Sequence, residues 1–215
     1  QVGAQAYTYD KAGNLLTDGV NTFTYDPESH LVKVVNASNT ITYTYDGLGR
    51  RASRTVNGTV YRFYYDGLDR VTAEKQPDLT TPSTLVTKAA YVYTDTSGAV
   101  KVQKTDHLDG STSVDTYMYF DGLNRPIQVR KEMEDTNTFA VTDTVYNNIG
   151  KVHKESVPYS GTGSAKTSAT TTASLLTAYI YDPVQRVSSI ATPIGTTFNA
   201  YDDWKLSITD PRNKV

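Results

Sequence analysis

The sequence predicts an all-β fold, an array of β-hairpins that pair side by side into one long, twisted antiparallel sheet. Seventeen of the 215 residues are tyrosine, and threonine and valine are abundant, a composition that suits half-buried strands rather than helices. A Tyr-Asp dipeptide or a variant of it recurs at intervals of 16 to 35 residues, most often 20, measured between the Asp or Asn residues. Two strands of about seven or eight residues with two tight turns fill such an interval, so each repeat is predicted to be one hairpin.

The repeats are expected to fill residues 1–215 as a single array of about nine degenerate copies, truncated at both ends. Clear copies are Tyr9-Asp10, Tyr25-Asp26, Tyr45-Asp46, Tyr65-Asp66, Tyr181-Asp182 and Tyr201-Asp202, and variants are Phe120-Asp121 and Tyr146-Asn147. A ninth, degenerate copy is placed at Tyr93 to Gly98. Loop insertions are predicted near 76–83, which contains two prolines, and near 160–173, which is rich in Gly, Ser, Ala and Thr.

The residues after each Tyr explain why the chain reverses there. In the copy that starts at Asp46 an Asp stands first and Gly49 fourth, as a type I turn prefers. Asp69 and Asn124 take the fourth position in two other copies, and both residue types tolerate the left-handed conformation. A three-residue hairpin loop closed by a left-handed residue in a G1 bulge is therefore predicted. Further glycines at the fourth position are Gly13 and Gly150.

The flanking strands follow from the same register. Tyr43 and Tyr45 are two residues apart and project from one face of their strand, while Thr44 faces the other way. In a three-residue loop the Asp that opens the turn lies opposite the residue four positions later, which favours cross-strand ion pairs. Those pairs are Asp46 with Arg50, Asp66 with Arg70, Asp121 with Arg125 and Asp182 with Arg186. A lone hairpin of this size is unstable, so consecutive hairpins must pair with one another.

The run from Tyr43 to Arg50, which reads Tyr-Thr-Tyr-Asp-Gly-Leu-Gly-Arg, resembles the repeat of the rearrangement-hotspot (RHS) and YD-repeat family. The copies that end at Arg70 and Arg125 support the resemblance, which covers nearly the whole chain. The family includes bacterial polymorphic toxins, the B and C components of insecticidal toxin complexes, wall-associated bacterial proteins and animal teneurins. The resemblance implies a section of a spiral β-shell, which in the toxins encloses a C-terminal cargo.

The same resemblance implies a function and partners. It implies a structural shell segment of a large secreted or cell-surface protein, bacterial in origin, that encloses a C-terminal toxin or effector. The expected partners are then the other repeats of the same parent chain and the enclosed cargo. The toxins that it resembles end their repeats with Asp-Pro-x-Gly, whereas Asp210 to Asn213 reads Asp-Pro-Arg-Asn. The segment is therefore expected to belong to the interior of the shell and not to its releasing end.

Composition excludes several other classes. The net charge is -2 with both signs interspersed, so the basic footprint of a nucleic-acid-binding protein is absent. No apolar run approaches the ~20 residues that a membrane-spanning helix needs. The chain has no cysteine, which removes disulfides and thiolate chemistry but does not decide the compartment.

Residues with catalytic or metal-binding side chains are present but lack a convincing arrangement. The neighbouring Asp202 and Asp203 would point to opposite faces of a strand and could not converge on one bond. None of His30, His107 and His153 has a second histidine at a ligand spacing. No catalytic residue, metal ligand or cofactor is therefore expected, and the chain is not expected to be an enzyme.

The rows of tyrosine leave one alternative open. Exposed aromatic rows can stack on sugar rings, although aromatic pairs are also the ordinary stabilisers of neighbouring strands. The alternative function is an extracellular adhesion module that binds glycans, with Tyr201 and Trp204 as candidate contacts, or one that forms filaments through its sheet edges.

Overall fold

The computed structural model describes residues 7–78, 80–96, 99–135 and 137–212 of the chain. These ranges contain nineteen β-strands and one short 3-10 turn, Ala173–Leu175. The predicted all-β antiparallel fold is confirmed, because the strand pairings join neighbouring strands in antiparallel register. Among the described residues no helix is long and apolar enough to cross a membrane.

The chain divides into two compact units, residues 1–91 with 106–112, and residues 92–105 with 113–215. In the first unit eight strands pair in chain order, each with the next. They are β1 Thr8–Tyr9, β2 Leu15–Thr17, β3 Thr22–Tyr25, β4 Leu31–Val35, β5 Thr40–Tyr45, β6 Arg51–Val56, β7 Thr59–Tyr65 and β8 Val71–Pro77. Strand β9, Leu85–Thr96, pairs with β8, and both β9 and β10, Ala99–His107, contribute residues to each unit.

The second unit has the same pattern with one branch. Its strands are β11 Ser113–Phe120, β12 Pro126–Glu132, β13 Thr138–Tyr146, β14 Val152–Ser156, β15 Tyr159–Thr162, β16 Leu176–Tyr181, β17 Val187–Thr192, β18 Gly195–Asp202 and β19 Lys205–Thr209. Strand β13 pairs with β12 on one side, and on the other with β14 along its C-terminal half and β15 along its N-terminal half. Strand β14 continues the ladder to β16, and the remaining strands follow in order.

Side chains alternate along the strands as a period of two requires. In β3 the aromatic residues Phe23 and Tyr25 are half-buried, whereas Thr22 and Thr24 are exposed. Only eight of the described residues are buried, and half of these are polar. Each unit therefore has little apolar core among its described residues.

The densest packing lies on β13 and its neighbours. Val141 has no exposed surface, Phe139 is also buried, and Phe139 lies opposite Gly161 of β15 in the register. A Cβ added at Gly161 would lie 2.8 Å from Cγ2 of Val141 and 3.1 Å from Nη2 of Arg130. The close approach of β13 and β15 therefore depends on a residue without a side chain at position 161.

The boundaries of the predicted insertions need correction. Residues 76 and 77 end β8, so the first insertion begins after Pro77. Residues 160–162 belong to β15, which pairs with β13. The second insertion therefore begins after Thr162. The degenerate copy at Tyr93 to Gly98 also differs, since Tyr93 to Thr96 still belong to β9, and residues 97 and 98 lie outside the described ranges.

We expect Gly161→Ala to destabilise the protein by about 1–3 kcal/mol, the usual cost of overpacking a filled site. The reason is that Val141 is fully buried and has little room to move away. Chemical denaturation followed by circular dichroism measures the change in the free energy of unfolding.

Gly47→Ala is the matched control, because a Cβ at Gly47 would meet nothing within 4 Å. It should leave the free energy of unfolding nearly unchanged. Equal stability of both variants and the parent would contradict the packing described for β13 and β15.

Candidate functional site

Most Tyr-Asp turns of the array are closed by one carboxylate whose two oxygens have different roles. In the turn of Asp46, Oδ1 accepts hydrogen bonds from the backbone N–H groups of Leu48 and Arg50, both at 3.0 Å. The N–H of Gly49 donates to the carbonyl of Asp46 at 3.0 Å. Oδ2 is left for the guanidinium of Arg50, whose Nε and Nη2 lie 2.8 and 2.7 Å away. One side chain thus fixes both the turn and the residue that follows it.

The division of roles recurs through the array. Oδ1 accepts from the N–H groups two and four residues later in the turns of Asp10, Asp26, Asp46, Asp66, Asp121, Asn147 and Asp182. All four predicted ion pairs form, with nitrogen to Oδ2 distances of 2.6 to 2.8 Å. In each of these turns the register shifts by one residue at the aromatic position, which is the bulge that the three-residue loop requires.

Contacts between successive turns convert the separate hairpins into a ladder. The hydroxyl of Tyr65 donates to the carbonyl of Arg51 at 2.9 Å, and the guanidinium of Arg50 lies 4.7 Å from the centre of the Tyr65 ring. Tyr65 therefore contacts the preceding turn in two ways, through its hydroxyl and through the face of its ring. We use the name turn ladder for the series of contacts that links the Asp or Asn of a turn, the residue four positions later and the tyrosine of the next turn.

Contacts of the turn ladder occur within each of the two units. Hydroxyl bonds to the preceding repeat are made by Tyr45, Tyr65, Tyr146, Tyr181 and Tyr201, at 2.8 to 3.1 Å. Rings are covered by the preceding side chain in the pairs His30 with Tyr45, Arg50 with Tyr65, Arg125 with Tyr146 and Arg186 with Tyr201, at 4.2 to 4.7 Å. The side chain four after the Asp also reaches the left-handed residue of the next turn, since Nη1 of Arg50 lies 2.6 Å from Asp69 and Nδ2 of Asn14 lies 3.1 Å from Ser29.

Three positions depart from the sequence expectation. Ser29 and Gln185 adopt positive φ, 65° and 67°, although neither residue type favours it. Asp202 does not open a three-residue loop; it ends β18 opposite Lys205, and the loop consists of Asp203 and Trp204. Tyr201 nevertheless keeps its hydrogen bond to the carbonyl of Val187.

The second candidate site is a buried polar cluster on β12 and β13. Gln128, Arg130 and Asp143 are each at least 97% buried, and Gln128 lies directly opposite Asp143 in the register. The Gln128 amide links the two charges, since it accepts from Nη1 of Arg130 at 3.2 Å and donates to Oδ1 of Asp143 at 2.7 Å. Sequence reasoning missed this cluster, because only the register between strands brings the three residues together.

The cluster holds the segment that follows β15 against the sheet. Arg130 donates to the carbonyls of Thr162 and Gly163, at 2.8 and 2.9 Å. Asp143 accepts from the hydroxyl of Tyr159 at 2.7 Å and the N–H of Thr170 at 2.8 Å. Burial, together with the bond to Asp143, raises the pKa of Tyr159 to about 12. The part of the predicted insertion between β15 and the 3-10 turn, residues 163–172, is therefore held against the sheet by hydrogen bonds. We call residues 163–172 the strap.

A cleft of about 310 Å³ lies beside the strap and is lined in part by Arg125, Gln128, Asp143, Tyr146 and Lys166. The polar groups of Gln128 and Asp143 that reach it are already occupied by partners within the cluster. These polar groups of Gln128 and Asp143 therefore hold the strap in place.

The other side chains considered from sequence lie apart from both sites. Nδ1 of His153 lies 3.4 Å from the carbonyl of Tyr179. Asp210 accepts from the N–H of Arg212, while Asn213 lies outside the described residues.

Comparisons with known proteins agree with this architecture. A family model described as teneurin YD-shell matches residues 1–86, and one described as a domain of unknown function (DUF6443) matches residues 93–198. The tRNA nuclease WapA of Bacillus subtilis strain 168 and the tRNA3(Ser)-specific nuclease WapA of Bacillus spizizenii are each 40% identical over 70 residues. Over these residues the chain is similar to RHS/YD-repeat proteins.

This chain covers only a small fraction of the length of each protein that it matches. The WapA matches span 31% of this chain and 3% of each relative. The crystal structure of TcdB2-TccC3 without its hypervariable C-terminal region superposes with a TM-score of 0.65 over 96% of this chain and 16% of that chain. At 12% identity this likeness shows the fold alone. The YD-repeat chain thus corresponds to a small part of much longer proteins.

We expect Asp46→Asn to destabilise the YD-repeat protein less than Asp46→Ala. Asn can keep the two backbone bonds of the turn, as Asn147 does toward Ile149 and Lys151, but it loses the ion pair with Arg50. Ala loses both. Thermal unfolding of the three proteins at pH 7 tests the order, and equal losses would contradict the division of roles between the two oxygens.

Acid should weaken the YD-repeat protein through the same carboxylates. The hydrogen bond from the following Arg is the largest cause that lowers the pKa of Asp46 and of Asp121 below 3.8. For Asp66 and Asp182, burial of the carboxyl opposes the shift and is the largest single contribution, but the hydrogen bonds together outweigh it.

Because the folded pKa is lowered, these carboxylates stabilise the fold above pH ~4, and this contribution is lost as the pH falls through the folded pKa. The unfolding temperature should therefore vary little from pH 7 to 5 on this account and fall below pH ~4. The difference between the parent and Asp46→Asn should shrink over the same range. A constant difference down to pH 2 would show that the ionised carboxylate of Asp46 is not what stabilises the turn.

Proposed function

We propose that the chain is a wall segment of an encapsulating shell, part of a large secreted or cell-surface protein that encloses a C-terminal toxin or effector. The observation that carries the proposal is the turn ladder in a sheet with few buried residues. Such a sheet gains its order from contacts between adjacent repeats and can be extended by adding repeats, as a wall requires.

The proposal assigns the chain no catalytic role. The buried carboxylate of Asp143 is occupied by Gln128, Tyr159 and the backbone of Thr170, and Oδ1 of a turn carboxylate such as Asp46 is occupied by the backbone of its own turn. The relatives named as nucleases match only over 70 residues, so their activity is not carried over to this segment. The partners proposed are the other repeats of the parent chain and the enclosed cargo.

A second candidate is an extracellular adhesion or filament module, and one observation favours it. Trp204 is fully exposed at the tip of the β18–β19 hairpin, where its indole could stack on a sugar ring. The ladder tyrosines are poor candidates for the same role. Their hydroxyls are bonded to carbonyls, and the rings of Tyr65, Tyr146 and Tyr201 are covered by guanidinium groups.

Electron microscopy of the intact parent protein tests enclosure directly. A closed hollow particle with internal density is the expected result, and the enclosed domain should survive a protease that digests it when it is expressed alone. A solid rod or a continuous fibre would overturn the shell and favour the adhesion or filament module.

The test variant is the parent protein with Tyr65→Phe and Arg50→Met. These changes remove the hydroxyl bond, the ring contact and the ion pairs of Arg50 with Asp46 and Asp69, while keeping similar side-chain volumes. If the turn ladder holds the wall closed, the enclosed domain should become more sensitive to protease in this variant.

A further inference from the structure

The turn that begins at Asp26 differs from the other turns of the ladder at two positions together. The residue two after the Asp is apolar in most turns, as at Leu48 and Leu68, but it is Glu28 here. The residue four after the Asp is Arg in four turns, as at Arg50, but it is His30 here. The two exchanges place a second carboxylate and an imidazole beside the carboxylate of Asp26.

In the four turns with Arg, Oδ2 of the Asp is in contact with a cation. The guanidinium nitrogens lie 2.6 to 2.8 Å from it. In the turn of Asp26, Oδ1 keeps its role and accepts from the N–H groups of Glu28 and His30, both at 2.9 Å. Oδ2 instead faces Nδ1 of His30 at 3.1 Å, and Oε2 of Glu28 lies 3.6 Å from the same nitrogen. The position that a guanidinium takes elsewhere is here surrounded by three metal-ligand atoms.

We propose that Asp26, Glu28 and His30 bind a divalent transition-metal ion of the Zn²⁺ class, which takes the place of the guanidinium. The three ligand atoms all lie within 4.8 Å of one another. Ligands about 2.1 Å from a tetrahedral ion are about 3.4 Å apart, a value that the distances of 3.1 and 3.6 Å bracket. An imidazole nitrogen with two carboxylates suits Zn²⁺ and its neighbours, whereas Ca²⁺ and Mg²⁺ prefer oxygen alone.

The surroundings hold the imidazole in place for this role. Its ring stacks on Tyr45 with centroids 4.6 Å apart and an angle of 23° between the planes. A Cβ at Gly49 would lie 3.4 Å from Nε2, so the residue at the left-handed position of the next turn leaves room for the ring. The side chains of Asp26 and His30 are about 70% buried, whereas Glu28 is exposed and can swing toward an ion. Three protein ligands leave the fourth position for water.

The test is titration of the 215-residue chain with ZnCl₂, followed by calorimetry and by the unfolding temperature. We expect one saturable site, a higher unfolding temperature with metal, and a shift of the His30 imidazole nitrogen resonances on binding. Glu28→Leu and His30→Arg introduce the residues that sister turns already use, so both variants should fold. Each should weaken Zn²⁺ binding by at least about tenfold, since even loss of a partner behind a ligand costs 10–100-fold.

The double variant His107→Gln and His153→Gln is the matched control, because it removes the other two histidines and leaves the turn intact. It should bind Zn²⁺ as the parent does. The proposal is overturned if the parent shows no saturable binding, or if Glu28→Leu and His30→Arg bind as tightly as the parent.

Discussion

The array depends on the two oxygens of the turn carboxylate, which have separate hydrogen-bonding roles. One oxygen accepts the backbone N–H groups that a three-residue turn would otherwise leave to water, and the other orients the side chain four residues later. That side chain then covers the ring of the next tyrosine, whose hydroxyl bonds to the carbonyl one residue beyond it. A local turn is in this way tied to a repeat about twenty residues away without any contribution from a thick core.

This arrangement explains how a sheet with so few buried residues keeps its order. Sheets usually gain stability by burying one face against another layer, whereas here the coupling is between neighbours along the ladder. Where β13 branches to β14 and β15, the repeat is interrupted and a different solution appears. There the strap is held by Gln128, Arg130 and Asp143, a buried network in which both charges are hydrogen-bonded and one amide joins them.

Local features of the fold were readable from sequence because they depend on residues at most four apart. The turns, the strand alternation and the pairs of Asp46 with Arg50 and Asp121 with Arg125 belong to this group. Contacts that depend on the order and register of strands were not readable. The bond of Tyr146 to Pro126 spans 20 residues, and the buried bond of Gln128 to Asp143 exists only because β12 and β13 pair in one register. Ser29 shows a third case, in which the turn imposes a positive φ on a residue that does not favour it.

A ladder of nearly equivalent turns also allows one turn to change without loss of the others. The Asp carboxylate keeps Oδ1 in the turn in every case, so the partner of Oδ2 can vary between the guanidinium of Arg50, the amide of Asn14 and the imidazole of His30. Each of these side chains still reaches the following turn, whether toward Asp69, Ser29 or Tyr45. A contact between successive turns therefore recurs along the array, whereas the side chain that makes this contact differs from one repeat to another.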